Sequence, residues 1–280
     1  MISKSFALIT GASTGLGKHL AHECALKGFP LILVALPGTG LERAAKDLRK
    51  HTGVEVHFVE ADLTDESGPV KIFNFCTVHS YHVGLLINNA GVGLESSFES
   101  VPLSFCTSLM QLNTLAVVKM TGLFLPHLKT AKDAHILNVS SLASYTPMPF
   151  KGIYSASKAF INSFSCSLRT ELKGTGISIS VLCPGGIPTN DVMRRRINNH
   201  GWFARAGMME PDKLAHIAIT QMFKGKQVII PGRINRISKF LMSIVPSGLQ
   251  QEILYRSYFK KVEVKLEKLP VMLLEPVRNN

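Results

Sequence analysis

"FALITGASTGLGK", residues 6–18, joins a short apolar run to a turn with glycine at positions 11, 15 and 17, and then to a helix-like segment. A brief apolar run closed by turn residues reads as a buried strand. Glycine lets the backbone turn tightly and come close to a ligand. The helix after it presents N–H groups with no intrahelical partner and a partial positive charge. A glycine turn in this setting suits a dinucleotide pyrophosphate; the plainer alternative is an ordinary strand–helix connection.

The same alternation runs outward from this stretch. "LGKHLAHECALKG" reads as a helix ended by Gly28, "LILVAL" as a strand, and "LERAAKDLRKHTG" as a helix ended by Gly53. "VEVHFVEADL", "GLLINNAG", "HILNVSS" and "ISISVLCPGG" read as further strands, with helices near 103–128 and 154–173 and a last strand in "QVIIPG", 227–232. Strands alternating with helices predict a parallel sheet covered on both faces. The fold class is therefore α/β: a Rossmann-type doubly wound sheet of about seven strands, with a C-terminal helical extension. Residues 1–232 contain no internal repeat, low-complexity tract or linker and read as one domain. Residues 233–280 read as a basic amphipathic extension, packed on that domain or at an interface.

Bulk properties narrow the classes. The chain has 280 residues, 46% hydrophobic and 18% charged, which is enough for a sizeable core and unlike a disordered chain. The opening "MISKSFALITGAS" lacks the apolar stretch and cleavage site of a signal peptide, and no run approaches the roughly 18 apolar residues of a membrane span. Cysteines 24, 76, 106, 166 and 183 are scattered, with no C-x-x-C and no metal-like cluster. They suit core packing in a reduced cytoplasm, and no metal site is expected. The net charge is +12, and residues 191–280 hold 16 Lys or Arg against 7 Asp or Glu. No groove-reading motif accompanies that charge, so nucleic acid is not an expected partner.

"GIYSASKAF", 152–160, places Tyr154 and Lys158 one helical turn apart, on the same face. A free phenol has a pKa near ~10, and a cation close to it favours the phenolate. The pair is thus a candidate proton donor and acceptor, although Tyr and Lys at this spacing also occur on solvated faces.

Taken together, these segments resemble the short-chain dehydrogenase/reductase family over about residues 5–190. The resemblance rests on Gly11, Gly15 and Gly17, "NNAG" at 88–91, Asn113 in "QLNTLAV", "NVSS" at 138–141, Tyr154-x-x-x-Lys158, and "PGGIPT" at 184–189. It implies that Tyr154 is the general acid or base, with Lys158 lowering its pKa and binding the nicotinamide ribose. It implies that Ser141, 13 residues before the tyrosine, binds the substrate oxygen, while Ser140 points away or caps locally. Asn113 would kink its helix and hold a relay water; its bland reading is a helix-interior Asn bonded to its own backbone. The implied cofactor contacts are Gly11, Ser13, Thr14, Gly15, Leu16, Gly17, Leu36, Asp62, Leu63, Asn89, Ala90, Gly91, Tyr154, Lys158, Pro184, Gly185, Ile187 and Thr189. Asp62 is also readable as a turn or capping residue.

Cofactor choice is read from the end of the second strand. "LILVALPGTG" has no acid for a ribose 2′-OH and no arginine for a 2′-phosphate. Ser13, Thr14 and the backbone of 38–40 are phosphate-binding candidates, so NADP(H) is favoured over NAD(H). The resemblance also implies a substrate loop at about 190–210, where Arg194–Arg196 are either a solvated face or a contact for an anionic group. The stripe Ile234, Ile237, Phe240, Leu241, Ile244 and Val245, flanked by Arg233, Arg236 and Lys239, suits a lid, a subunit contact or an anionic membrane surface. The expected reaction is hydride exchange between NAD(P) and a lipophilic ketone or secondary alcohol: a steroid, 3-oxo lipid or sphingoid-like compound. The alternative is a catalytically silent nucleotide sensor or scaffold of the same fold. The resemblance further implies a homodimer or homotetramer packed through the Tyr154 helix. The cysteine pattern points to the cytoplasm, and the basic stripe to a location peripheral to a membrane.

Overall fold

Uninterrupted apolar runs become strands buried on both faces. A computed structural model describes residues 5–189, 194 and 205–262, with side chains described as far as 256. Strands β1 (Phe6–Thr10), β2 (Leu31–Ala35) and β4 (Val83–Asn88) are buried at every residue. With β3 (Val56–Glu60), β5 (Ala134–Val139), β6 (Ile177–Leu182) and β7 (Val228–Ile229) they form a seven-stranded sheet in the order β3-β2-β1-β4-β5-β6-β7. Every neighbouring pair is parallel. The strand order reverses between β1 and β4, and a crevice opens beyond the carboxyl ends of the strands at such a point.

The period of two along each strand divides the core. From β1, Ala7 and Ile9 join Leu20, Leu33, Leu41 and Ile219 beneath α1 (Gly15–Leu26), α2 (Leu41–Thr52) and α7 (Pro211–Phe223). Phe6 and Leu8 join Ile32, Ile72, Phe124 and Ile136 beneath α3 (Ser67–Val78) and α5 (Ala116–Thr130). The long helix α6 (Gly152–Glu171) lies against β6 and delivers Leu168 to this second core. All five cysteines are unpaired, and Cys24, Cys76, Cys106 and Cys183 are buried.

Two details differ from the sequence reading. The last strand is only Val228–Ile229, and the nearby Pro231 has no N–H to extend the ladder. Also, among the described residues, Leu103–Thr130 is long and apolar enough to cross a bilayer by length and composition. This stretch comprises α4 (Leu103–Met110), a π-turn (Gln111–Leu115) and α5. Its buried Asn113, Thr114 and Thr121, together with core residues Met120, Phe124 and Leu128, make it a sheet-covering helix here. Beyond β7, the chain forms α8 (Arg233–Ile244) and α9 (Ser247–Val262).

The glycine turn is sterically tight. A Cβ on Gly17 would lie 2.0 Å from the Gly11 carbonyl oxygen and 2.6 Å from Asn89 Nδ2. One on Gly38 meets nothing within 4 Å, although its φ of +74° still favours glycine. Gly17→Ala should therefore cost about 3 kcal/mol or more through overpacking against backbone. Gly38→Ala should cost about 1–2 kcal/mol from left-handed strain alone. Denaturant midpoints of the two variants check the ranking.

Candidate active site

The carboxyl ends of β1 and β4 are laced together. Backbone N–H groups of Asn89 and Ala90 both donate to Thr10 Oγ1 at 3.0 Å, and Asn89 Nδ2 donates to the carbonyls of Thr10 and Gly11. The lacing fixes the glycine turn, where Gly11 and Gly15 have φ of +66° and +55°. Thr14 precedes α1 without making a side-chain capping bond. The helix start can thus offer its N–H groups to an anion. Thr189 packs against Gly15, since a Cβ there would lie 3.2 Å from Thr189 Cγ2. The turn therefore sits beside the loop after β6.

Across the crevice, β5 and α6 bring the candidate catalytic residues together. Ser140 Oγ donates to the Lys158 carbonyl at 2.8 Å, and Lys158 Nζ donates to the Val139 carbonyl at 3.0 Å. These bonds pin α6 to the end of β5. Ser140 is thus an anchor facing α6, while the Ser141 hydroxyl accepts from the Ala143 N–H and lies near enough to the Tyr154 phenol to influence its ionisation. Lys158 Nζ lies 5.9 Å from the centroid of the Tyr154 ring.

Asn113 sits fully buried in the π-turn, a wider turn that interrupts the long helix. Its Oδ1 accepts from the Val92 N–H at 2.9 Å, and its Nδ2 donates to the Val92 carbonyl and to Ser157 Oγ. Ser157 in turn donates to the Tyr154 carbonyl. Asn113 therefore does not bond its own backbone; it clamps the loop after β4 to the turn that carries Tyr154. Gly91 fills the space between: a Cβ there would lie 3.0 Å from Asn113 Oδ1 and 3.3 Å from Lys158 Nζ.

The electrostatics depart from the sequence reading. Burial pushes the Tyr154 phenol above its ordinary value, opposed by the Ser141 hydrogen bond and the charge of Lys151. Burial also lowers Lys158 to about 8, with Cys183 acting in the opposite direction. Lys158 does not drive the phenol down in this state, because desolvation penalises the charged form of both groups.

Other expected cofactor residues are more dispersed. Asp62 Oδ1 accepts from the Thr64 N–H and hydroxyl, so its turn role is filled. The Leu63 side chain belongs to the core, leaving its backbone for any ligand contact. Leu36 and Thr14 are exposed, Ser13 and Leu16 flank the glycine turn, and the Ile187 carbonyl accepts from the Thr189 N–H. The Pro184 carbonyl accepts from the Leu142 N–H, and Gly185 packs against Gly207 and Asn235. The Gly38 N–H expected to meet a phosphate instead donates to Glu60 Oε1 at 3.3 Å. Arg194 forms a two-point pair with Glu210. Arg195 and Arg196 lie outside the described residues.

Two groups of residues escaped the sequence reading. Asn88 Nδ2 donates to Asn138 Oδ1 at 2.8 Å, and Asn138 Nδ2 donates to Ser165 Oγ, a buried polar chain from β4 through β5 to α6. Their signal was an Asn at the end of each of two neighbouring strands. The second is a pairing the sequence did not reveal: Lys239 of α8 sits 4.4 Å over the Tyr145 ring, and Tyr255 of α9 stacks on Phe150, which seats the extension on the segment between Ser141 and Tyr154.

The short chain dehydrogenase model matches residues 5–200. The chain belongs to that family. It is 38% identical to mouse 17-beta-hydroxysteroid dehydrogenase type 3 over 199 residues, covering 69% of this chain and 63% of the mouse protein. It is 33% identical to the zebrafish (Danio rerio) very-long-chain 3-oxoacyl-CoA reductase-A over 188 residues, 66% of this chain and 58% of that protein. The aligned stretches thus span about three fifths of these relatives. A short-chain dehydrogenase from Sphingobium yanoikuyae in complex with NADPH superposes with a TM-score of 0.70 at 27% identity, covering 86% of this chain and 96% of that one.

The depressed Lys158 sets a pH dependence. Its folded pKa of about 8 lies below its unfolded value of 10.5, so the folded chain sheds this proton first as pH rises. The cost of burying the cation is present below pH 8 and is relieved above it. Relative to Lys158→Met, the wild type should gain about 2 kcal/mol between pH 7 and pH 9.5. Denaturant titrations of the ligand-free proteins at both pH values test this.

Proposed function

We propose that this family member catalyses reversible reduction of a lipophilic ketone to a secondary alcohol with a nicotinamide dinucleotide. The observation that carries the proposal is the convergence of Ser141, Tyr154 and buried Lys158, beside a glycine turn whose adjoining helix start is uncapped. Gly11, Gly15, Gly17 and the start of α1 would hold the pyrophosphate, and Thr189 and the Ile187 backbone would lie at the nicotinamide. When bound, the reduced cofactor supplies the hydride to the carbonyl carbon. Ser141 holds the carbonyl oxygen, and Tyr154 donates the proton that neutralises it. Lys158 supports the phenolate left behind and returns it to the neutral form. Asn113, through Ser157 and Val92, positions Tyr154 and the loop facing it. All four residues are present, which disfavours a silent sensor of the same fold.

Relatives named for steroid and 3-oxoacyl-CoA chemistry support a bulky apolar substrate. The aromatic group of Tyr145, Phe150 and Tyr255 suits one. Assembly through α6, which exposes Phe160, is also proposed. For the dinucleotide we favour NADP(H), because β2 ends without an acid and a solved relative holds NADPH. One observation favours NAD(H): the Glu60 carboxylate occupies the Gly38 N–H and would repel a 2′-phosphate.

Tyr154→Phe should lower kcat by at least about 100-fold while leaving cofactor Kd unchanged. Steroid and fatty ketones, followed by reduced-cofactor absorbance, provide the assay; near-normal turnover of the variant would remove Tyr154 from its role. Paired NADPH and NADH titrations settle the choice. Glu60→Gln should tighten NADPH selectively by about tenfold if its charge opposes the phosphate.

A further inference from the structure

Helix α8 is amphipathic in an inverted sense. Its buried side carries Asn235, whose Nδ2 donates to the carbonyls of Gly207 at 3.0 Å and Pro231 at 2.7 Å, and half-buried Lys239, seated over Tyr145. Its outer side carries Ile237, Phe240, Leu241 and Ile244, which are 55%, 65%, 44% and 64% exposed. The spacing i, i+3, i+4, i+7 places these four within a sector of about 100°. Arg233 and Arg236, both exposed, stand at the start and edge of that sector. The apolar surface continues onto α9 through Leu249 and Ile253, 54% and 50% exposed. Gln250 joins the helices by donating to the carbonyls of Met242 and Val245. Together α8 and α9 contain six Lys or Arg and one Glu.

We infer that the outer face of α8 and the start of α9 form a docking surface for an anionic lipid bilayer. An apolar stripe with cationic edges matches the interface of such a membrane, where side chains enter the acyl boundary and arginines meet phosphate headgroups. The net positive charge of the two helices makes a second copy of the same face a poor occupant, because like charges would meet across the seam. The opposite sides of these helices pack on Tyr145 and Phe150, in the segment between Ser141 and Tyr154. Docking would therefore bring the lipid surface close to the segment that joins the two candidate catalytic residues. That link to a lipophilic substrate rests on the function proposed above; the docking itself does not.

The test is flotation of the full chain with vesicles of phosphatidylcholine alone or with about 30% phosphatidylserine. The expected result is binding to the anionic vesicles that falls at least about tenfold on the neutral ones and weakens at high salt. Ile237→Ser with Phe240→Ser, and separately Arg233→Glu with Arg236→Glu, should each reduce it by about tenfold while the melting temperature is retained. Should the first pair fail to fold, Phe240→Gln alone serves. The inference is overturned by absence of flotation, by flotation that folded variants leave unchanged, or by a wild-type dimer in sedimentation that Phe240→Gln converts to monomer. Loss of flotation with turnover intact, or the reverse in Tyr154→Phe, separates this inference from the proposed reaction.

Discussion

An ammonium group buried at the edge of the sheet is the constraint around which the crevice is arranged. Lys158 is almost fully enclosed, and a cation in that position is costly unless hydrogen-bonded. The Val139 carbonyl accepts a hydrogen bond from its Nζ, and the anchor from Ser140 to the Lys158 carbonyl keeps the helix from drifting. Gly91 packs against it without a side chain, in a space too tight for an added Cβ. Each neighbour thus has a reason to be the residue it is. A larger side chain at 91 would displace the ammonium, and a Ser140 without its hydroxyl would loosen α6 from β5.

The surrounding polar groups form a frame tying four separate chain segments together. Asn113 joins the loop after β4 to α6, Asn89 joins that loop to the glycine turn, and the Asn88–Asn138–Ser165 chain crosses beneath. Buried networks of this kind are stable when every member is satisfied, and they specify one arrangement. With both Tyr154 and Lys158 driven toward their neutral forms by burial, the ligand-free crevice is poorly tolerant of charge.

Much of this was legible in the sequence because its signals are local. Strand runs, C-terminal glycines and the one-turn spacing of Tyr154 and Lys158 depend on neighbours within a few positions. The choice of Ser141 over Ser140 came from a spacing; in the structure Ser140 bonds the Lys158 carbonyl, and the local cap expected of Ser140 is made by Ser141. What escaped depends on long-range placement. Glu60 reaches Gly38 because β3 lies beside β2, 22 residues away in the chain. The sign of the Tyr154 shift depends on how completely distant segments exclude water. The helix α8 showed its stripe in the sequence, but not which side of it would be buried.

Asn235 carries a last implication. Its amide bridges the end of β7 and the chain at Gly207, and its head abuts Gly185 so closely that an added Cβ there would lie 2.9 Å away. The extension is therefore keyed into the loop expected to face the nicotinamide, like a wedge driven into a joint. Helix α8 is thereby anchored to the body of the fold. A chimaera that grafts α8 and α9 from another protein would need to carry this asparagine and its glycine partner together, or the graft would disturb the very loop it was meant to leave alone.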